Sequence, residues 1–202
     1  MFAAPAPYPV PEPVVAECVS TASRTYAVPE LVIRTILKVE GGKVGTMSRN
    51  TNGSYDLGPM QINTINLSLI NKEYPFLTWK HITYNPCINI MVGTWFLSSK
   101  IRARKGVIWE GVGDYHSVTP SKRNVYLSRF LTHYTRLKKQ YGFKPVKGGY
   151  TESLQAVEPQ LAQEQTQPVS LANIPTMLSR QLSGKDLQDS PPTFASMFRP
   201  RQ

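Results

Sequence analysis

Residues 39–63 read VEGGKVGTMSRNTNGSYDLGPMQIN, and the fold turns on how this stretch divides. Just before it, Leu31, Ile33, Ile36, Leu37 and Val39 recur at helical spacing behind Pro29. A proline suits a helix start, because a first-turn residue has no intrahelical use for its N–H. The helix is expected to end near Glu40, stopped by Gly41 and Gly42. Asn52-Gly53 is the strongest short hairpin signal in the chain, so Arg49 to Asp56 should form a small β-hairpin or irregular ribbon. Gln61 to Asn71 then reads as a short helix.

The same reading extends in both directions. Val14, Cys18, Ala22 and Tyr26 share a helical face, which predicts a helix over residues 14–26. Pro75 and Pro86 bracket a loop containing Trp79. Residues 87–102, CINIMVGTWFLSSKIR, form a helix with Ile90, Met91, Trp95 and Leu97 toward a core. A short helical piece over 109–116 breaks near Pro120. A long helix follows over 121–141, with Val125, Phe130, Leu131, Tyr134 and Leu137 as its apolar stripe. The expected architecture is mainly α, a helical bundle around a groove with one small β-hairpin.

The ends of the chain differ from this body. Residues 1–13 hold five prolines and read as an extended leader that packs little. Residues 145–202 are rich in Gln, Pro and Ser, and read as a flexible, disordered tail. Within the tail, Leu171–Leu182 reads either as a partner-docking patch or as linker with incidental apolar residues. One folded domain is thus expected at about 14–144.

The net charge of +10 calls for an anionic partner, and it is unevenly spread. Residues 1–144 carry 18 Lys+Arg against 8 Asp+Glu, and residues 145–202 carry 5 against 5. Nucleic acid, anionic lipid and acidic cell-wall glycan all suit such a domain. No DNA-binding motif is present, so nucleic acid is not the expected partner. No apolar run approaches the ~18 residues of a membrane span. The first residues lack the basic start and apolar core of a secretory signal, which leaves it removed, upstream or unused. His81, His116 and His133 have no metal-ligand spacing, and no phosphate loop or Ser–His–Asp set is evident. No metal or cofactor is expected. The two cysteines, Cys18 and Cys87, permit either buried thiols or one long-range disulfide.

Glu40 closes an apolar helix and is followed by two glycines. Read alone it is either an ordinary exposed helix-end carboxylate or an acid whose pKa an apolar setting raises. Its neighbours favour the second. Glu40 with Gly58-Pro59-Met60-Gln61-Ile62-Asn63, Pro86-Cys87-Ile88-Asn89-Ile90, and Tyr115-His116 ahead of the last helix arrive in order. Together they resemble the soluble lytic transglycosylase family with its lysozyme-like catalytic domain, closest to small members associated with conjugation and type III or IV secretion. The resemblance covers roughly residues 15–141.

The resemblance implies an α+β lysozyme-like fold and a periplasmic enzyme acting on peptidoglycan strands. Residues 145–202 would meet the secretion or conjugation machinery. Glu40 would be the sole catalytic acid and then base. Met60 and Gln61 would line sugar subsites with Gly58 and Asn63, and Tyr115 would lie against the catalytic carboxylate. Tyr55 and Trp109 are the candidates for stacking on sugar rings. The resemblance also implies a Cys18–Cys87 disulfide. Three positions depart from the family pattern: Gly41 stands for its usual Ser, Pro59 for Leu and His116 for Asn. The loss of the Ser hydroxyl leaves orientation of the carboxylate to another group.

Asp56 divides two mechanisms. Facing Glu40 across a sugar, it would be the second carboxylate of a retaining hydrolase, with the carboxyl groups about 5–5.5 Å apart. In the transglycosylase pattern it instead supports the hairpin through Asx-type bonds.

Overall fold

The computed structural model describes residues 6–141. Its centre is the helix Pro86–Ala103, whose residues Cys87, Ile88, Asn89, Ile90, Met91, Val92, Gly93, Thr94 and Leu97 are all buried. A helix apolar on all sides must be wrapped by others. Numbered in chain order, the helices are α1 (Glu12–Tyr26), α2 (Glu30–Glu40), α3 (Leu67–Glu73), α4 (Trp79–Tyr84), α5 (Pro86–Ala103), α6 (Ile108–His116) and α7 (Pro120–Gln140). α1, α4 and α6 pack on α5, and α2 packs on α7.

The strands β1 (Met47–Arg49), β2 (Tyr55–Leu57) and β3 (Ile62–Asn63) form an antiparallel sheet in the order β1-β2-β3. Ser48 pairs with Asp56, and Asp56 with Asn63. The hairpin forms where Asn52-Gly53 predicts it. Its turn is closed by Asn50 N–H to the Ser54 carbonyl at 2.8 Å and by the Asn52 side chain accepting from Ser54 N–H at 3.1 Å. Cys18 and Cys87 are joined as a disulfide that ties α1 to α5, with Cα atoms 5.0 Å apart. This is the pairing the family resemblance implies.

Four local expectations are corrected. Residues 61–71 are not one helix: Ile62 and Asn63 pair as β3, a 3₁₀ turn covers Thr64–Asn66, and α3 begins at Leu67. The reason is Asn63, whose side chain accepts from Ile65 N–H at 2.9 Å and so starts the turn. The expected loop between Pro75 and Pro86 contains α4, started by Thr78 and His81 in a reciprocal capping box. The described leader residues are mostly exposed and touch the body through one bridge, in which Tyr8 and Val44 exchange both backbone hydrogen bonds at 3.1 and 2.9 Å, but α1 starts two residues earlier than expected, at Glu12. Val125 is 64% exposed, and the buried side of α7 is carried by Tyr126 and Phe130. The expectations for residues 145–202, including Leu171–Leu182, lie outside the described residues. Among the described residues, no helix is long and apolar enough to cross a membrane.

Candidate active site

Glu40 is the last residue of α2, and Gly41 caps the helix in the left-handed conformation at φ +63°. Glycine adopts that conformation without the penalty of a Cβ. The next residue, Gly42, lies so close to the strand segment that a Cβ there would meet the Gly58 carbonyl and the Gln61 amide. The chain therefore leaves the helix directly against the Gly58–Gln61 elbow. That approach puts Glu40 beside β2 and the residues that follow it.

Burial dominates the electrostatics of Glu40 and pushes its carboxyl up to about pKa 7. The Tyr126 hydroxyl donates to Oε1 at 2.7 Å and pulls in the opposite direction, because it favours the carboxylate. Asp56 repels the ionised form, and Arg129 attracts it. An acid with this balance is protonated over part of the neutral range and can then accept the proton back. This is the setting that acid–base chemistry at a glycosidic oxygen needs.

Tyr126 takes the place that the resemblance gives to Tyr115. The Tyr115 hydroxyl donates instead to the Met60 carbonyl at 2.8 Å. It remains within the field of both Glu40 and Asp56, and burial followed by those charges raises its pKa well above the ordinary tyrosine value. Tyr126 itself is held by His116, whose imidazole stacks on its ring at 4.6 Å with a 4° interplanar angle. Burial is the main reason that the His116 pKa is lowered, with Arg129 and Lys122 adding to it. The hydroxyl absent at Gly41 is thus not the one that orients Glu40, since a phenol from α7 donates to it.

Asp56 is engaged within the sheet. Its Oδ1 accepts from Asn63 Nδ2 at 2.7 Å, across the β2–β3 pair. Asn63 also donates to Ser54 Oγ at 3.1 Å and caps the 3₁₀ turn, so its polar atoms are taken up inside the hairpin. Gln61 stands at φ +50°, unusual for a residue with a side chain. Its Nε2 donates to the Gly58 carbonyl at 2.8 Å, which reinforces the elbow beside Glu40.

One expected subsite residue lies elsewhere. The Met60 side chain is 0% exposed and packs against Gly93 of α5, so it does not line a sugar surface. Its helical neighbour α5 leaves room only because Gly93 lacks a Cβ. Trp109 is half-buried and packs edge-on to Phe130 and Tyr134 of α7, with centroids 5.8 and 5.2 Å away. Tyr55 is half-buried, and its N–H donates to Thr64 Oγ1 at 2.9 Å. Gly58 faces Asn89, whose side chain a Cβ at 58 would strike.

Asn89 is a positioning residue that the sequence reading did not single out. It is fully buried, donates to the carbonyls of Leu57 (2.9 Å) and Ile82 (3.0 Å), and accepts from Met60 N–H at 2.7 Å. Its Asn identity in the motif starting at Pro86 was the available signal. Tyr126 left no such signal, because its contact with Glu40 spans 86 residues. Asp114 is also buried, with Arg104 at 2.6 Å and Arg123 at 3.3 Å. The Arg104 hydrogen bond is the leading cause that holds its carboxyl below the usual range. Arg123 also pairs with Glu110, so this network fastens α6 and α7 behind the site. Among the described residues there is no group of His, Cys, Asp and Glu fit to hold a metal.

A helical body with a small antiparallel sheet beside one buried, hydroxyl-bonded carboxyl defines a lysozyme-like α+β class. The family model "Transglycosylase SLT domain" matches residues 17–129, over half of the chain, and the chain belongs to that family. It is 30% identical over 129 residues to the "Invasion protein IagB" of Salmonella typhi, covering 61% of this chain and 79% of the relative. It is 27% identical over 132 residues to a "Peptidoglycan-binding-like protein" of Escherichia coli O157:H7, covering 60% of this chain and 78% of the relative. A "Putative peptidoglycan-binding-like protein" of Escherichia coli K12 is 26% identical over 126 residues, covering 57% and 79%.

Proposed function

We propose that this chain is a peptidoglycan lytic transglycosylase that cleaves the β-1,4 bond between N-acetylmuramic acid and N-acetylglucosamine. The observation that carries this reading is Glu40, a single carboxyl pushed up to about 7 by burial and held by the Tyr126 hydroxyl. Membership of the transglycosylase family and the names of the Escherichia coli relatives support peptidoglycan as the substrate.

In the proposed sequence, protonated Glu40 gives its proton to the glycosidic oxygen as the C1–O bond breaks. The acetamido oxygen of the same sugar stabilises the carbon left electron-poor. The Glu40 carboxylate then takes the proton of the sugar's 6-hydroxyl, whose oxygen bonds to C1. The product is a 1,6-anhydro sugar, no water is consumed, and Glu40 ends protonated as it began. Asp56 supports this sequence from within the sheet, with Asn63 on its Oδ1. A wall outside the cytoplasm makes a periplasmic setting part of the reading, and the Cys18–Cys87 disulfide suits an oxidising compartment. That the opening serves a conjugation or secretion apparatus met through residues 145–202 rests on the motif resemblance.

Muropeptide analysis after digestion of isolated walls is the test. Anhydro products that disappear in Glu40→Gln support the proposal. Reducing-end products would overturn it in favour of a hydrolase using Asp56. No release by the wild type would leave a binding module.

A further inference from the structure

The two edges of α7 are treated differently. Tyr126 and Phe130 mark its buried seam. With 3.6 residues per turn, Lys122, Arg129 and Arg136 recur at seven-residue steps and fall within about 40° of one another along one edge. Arg123 lies on the other edge, and it is neutralised by Glu110 and Asp114. None of the four ion pairs among the described residues includes Lys122, Arg129, Arg136 or Lys38 of α2, and all four side chains are exposed. They are nevertheless gathered together. Arg129 and Lys122 act on His116, and Arg136, Lys38 and Arg129 act on His133, where after burial they disfavour protonation of the imidazoles.

The row has a definite origin. Arg129 Nη2 donates to the Val39 carbonyl at 3.4 Å, one residue before Glu40. Tyr126, within one turn of both Lys122 and Arg129, holds Glu40 itself. At its far end Tyr141 meets Arg34, so α2 and α7 run antiparallel and the row follows their seam. From Lys122 to Arg136 it extends about 21 Å, at 1.5 Å per residue. Arg129 feels the Glu40 carboxyl, but no residue of the row forms an ion pair among the described residues, and like charges held in line with so little compensation favour a bound anion.

We infer that Lys122, Arg129 and Arg136, with Lys38, form a subsite for the free carboxylates of the peptide arms that glycan strands carry. This rests on the reading of the chain as a peptidoglycan enzyme and names the part of that substrate it grips. The choice of partner follows from continuity. Arg129 touches the residue before Glu40, so a strand bound at Glu40 would lie beside the row, and the anionic groups within its reach would be those projecting from the strand. Ammonium and guanidinium groups suit carboxylates through charge-assisted hydrogen bonds.

The test reads binding without turnover, using the full chain carrying Glu40→Gln. The probe is wall sacculi coupled to beads through their glycan, either intact or then stripped of peptide by an amidase so that the freed strands stay on the beads, in a co-sedimentation assay at low and high salt. The chain is expected to prefer intact sacculi, with a preference that salt weakens. Adding Lys122→Gln, Arg129→Gln and Arg136→Gln is expected to lower affinity for intact sacculi roughly ten-fold, as three exposed charge contacts of ordinary strength would, and to leave affinity for stripped sacculi unchanged. A control with Lys72→Gln, Lys80→Gln and Lys105→Gln, also exposed cations, is expected to keep the preference. Matching thermal melts exclude misfolding as the cause.

Equal binding to intact and stripped sacculi, absent binding, or equal losses in the two triple variants would overturn the subsite. So would a triple variant that loses affinity for duplex DNA or phosphatidylglycerol vesicles while retaining it for intact sacculi. A chain that grips peptide arms in the expected way but releases no anhydro sugar would overturn the proposed reaction and leave the subsite standing.

Discussion

Glu40→Gln is expected to abolish cleavage and, at the same time, to stabilise the fold above neutral pH. Burial raises the Glu40 carboxyl from 4.5 to about 7. At ~1.4 kcal/mol per pH unit this difference corresponds to about 3 kcal/mol. Below pH 4.5 the carboxyl is protonated in both the folded and the unfolded chain, and no penalty exists. As pH rises from 4.5 to 7 the unfolded chain ionises first, so stability is lost until the folded group ionises too. Above about 7 the full penalty is present. Glutamine carries no charge and keeps an oxygen for the Tyr126 hydroxyl. The variant should therefore match the wild type at pH 4 and exceed it by about 3 kcal/mol at pH 8. For a domain of this size that is on the order of 10 °C in melting temperature. Paired thermal melts across pH 4–8, run beside muropeptide assays, provide the measurement. A difference that is constant with pH, or a wild type more stable at pH 8, would refute the placement of Glu40 in a desolvating site.

Three further outcomes follow from the geometry. Tyr126→Phe removes the donor that favours the Glu40 carboxylate, so the alkaline limb of the kcat profile should move to higher pH. Loss of orientation should lower kcat roughly 10- to 100-fold with a smaller change in KM. Asn89→Ala strips the partners from Leu57, Ile82 and Met60, and urea unfolding should show a loss on the order of 3 kcal/mol. Reduction of Cys18–Cys87, which are 69 residues apart, should lower stability by about 4 kcal/mol in the chain-entropy account, seen as a lower melting temperature with dithiothreitol.

The local elements were legible where local chemistry decides them. α2 follows from apolar spacing and from Pro29 and Gly41 at its ends, α5 from its run of apolar residues, and the hairpin from Asn52-Gly53. α4 was missed because two prolines suggested a loop, although Thr78 supplies its cap and Asn85 caps the helix that follows. Met60 was misplaced for a physical reason. Proximity in sequence to a motif does not say which side of the chain a side chain takes, and Gly93 leaves a core position for the Met60 side chain. Val125 failed similarly, since apolar character alone does not select a face once Tyr126 and Phe130 have claimed the seam.

The sequence by itself determined most of the helices, the hairpin and the candidacy of Glu40, because each depends on backbone preferences and side chains within a few turns. The environment of Glu40 was decided only by tertiary structure. Its burial, its hydroxyl donor from α7, the imidazole stacked behind that donor and the cation beside it all come from packing α2 against α7. A pKa is a property of surroundings, and these surroundings lie about ninety residues along the chain.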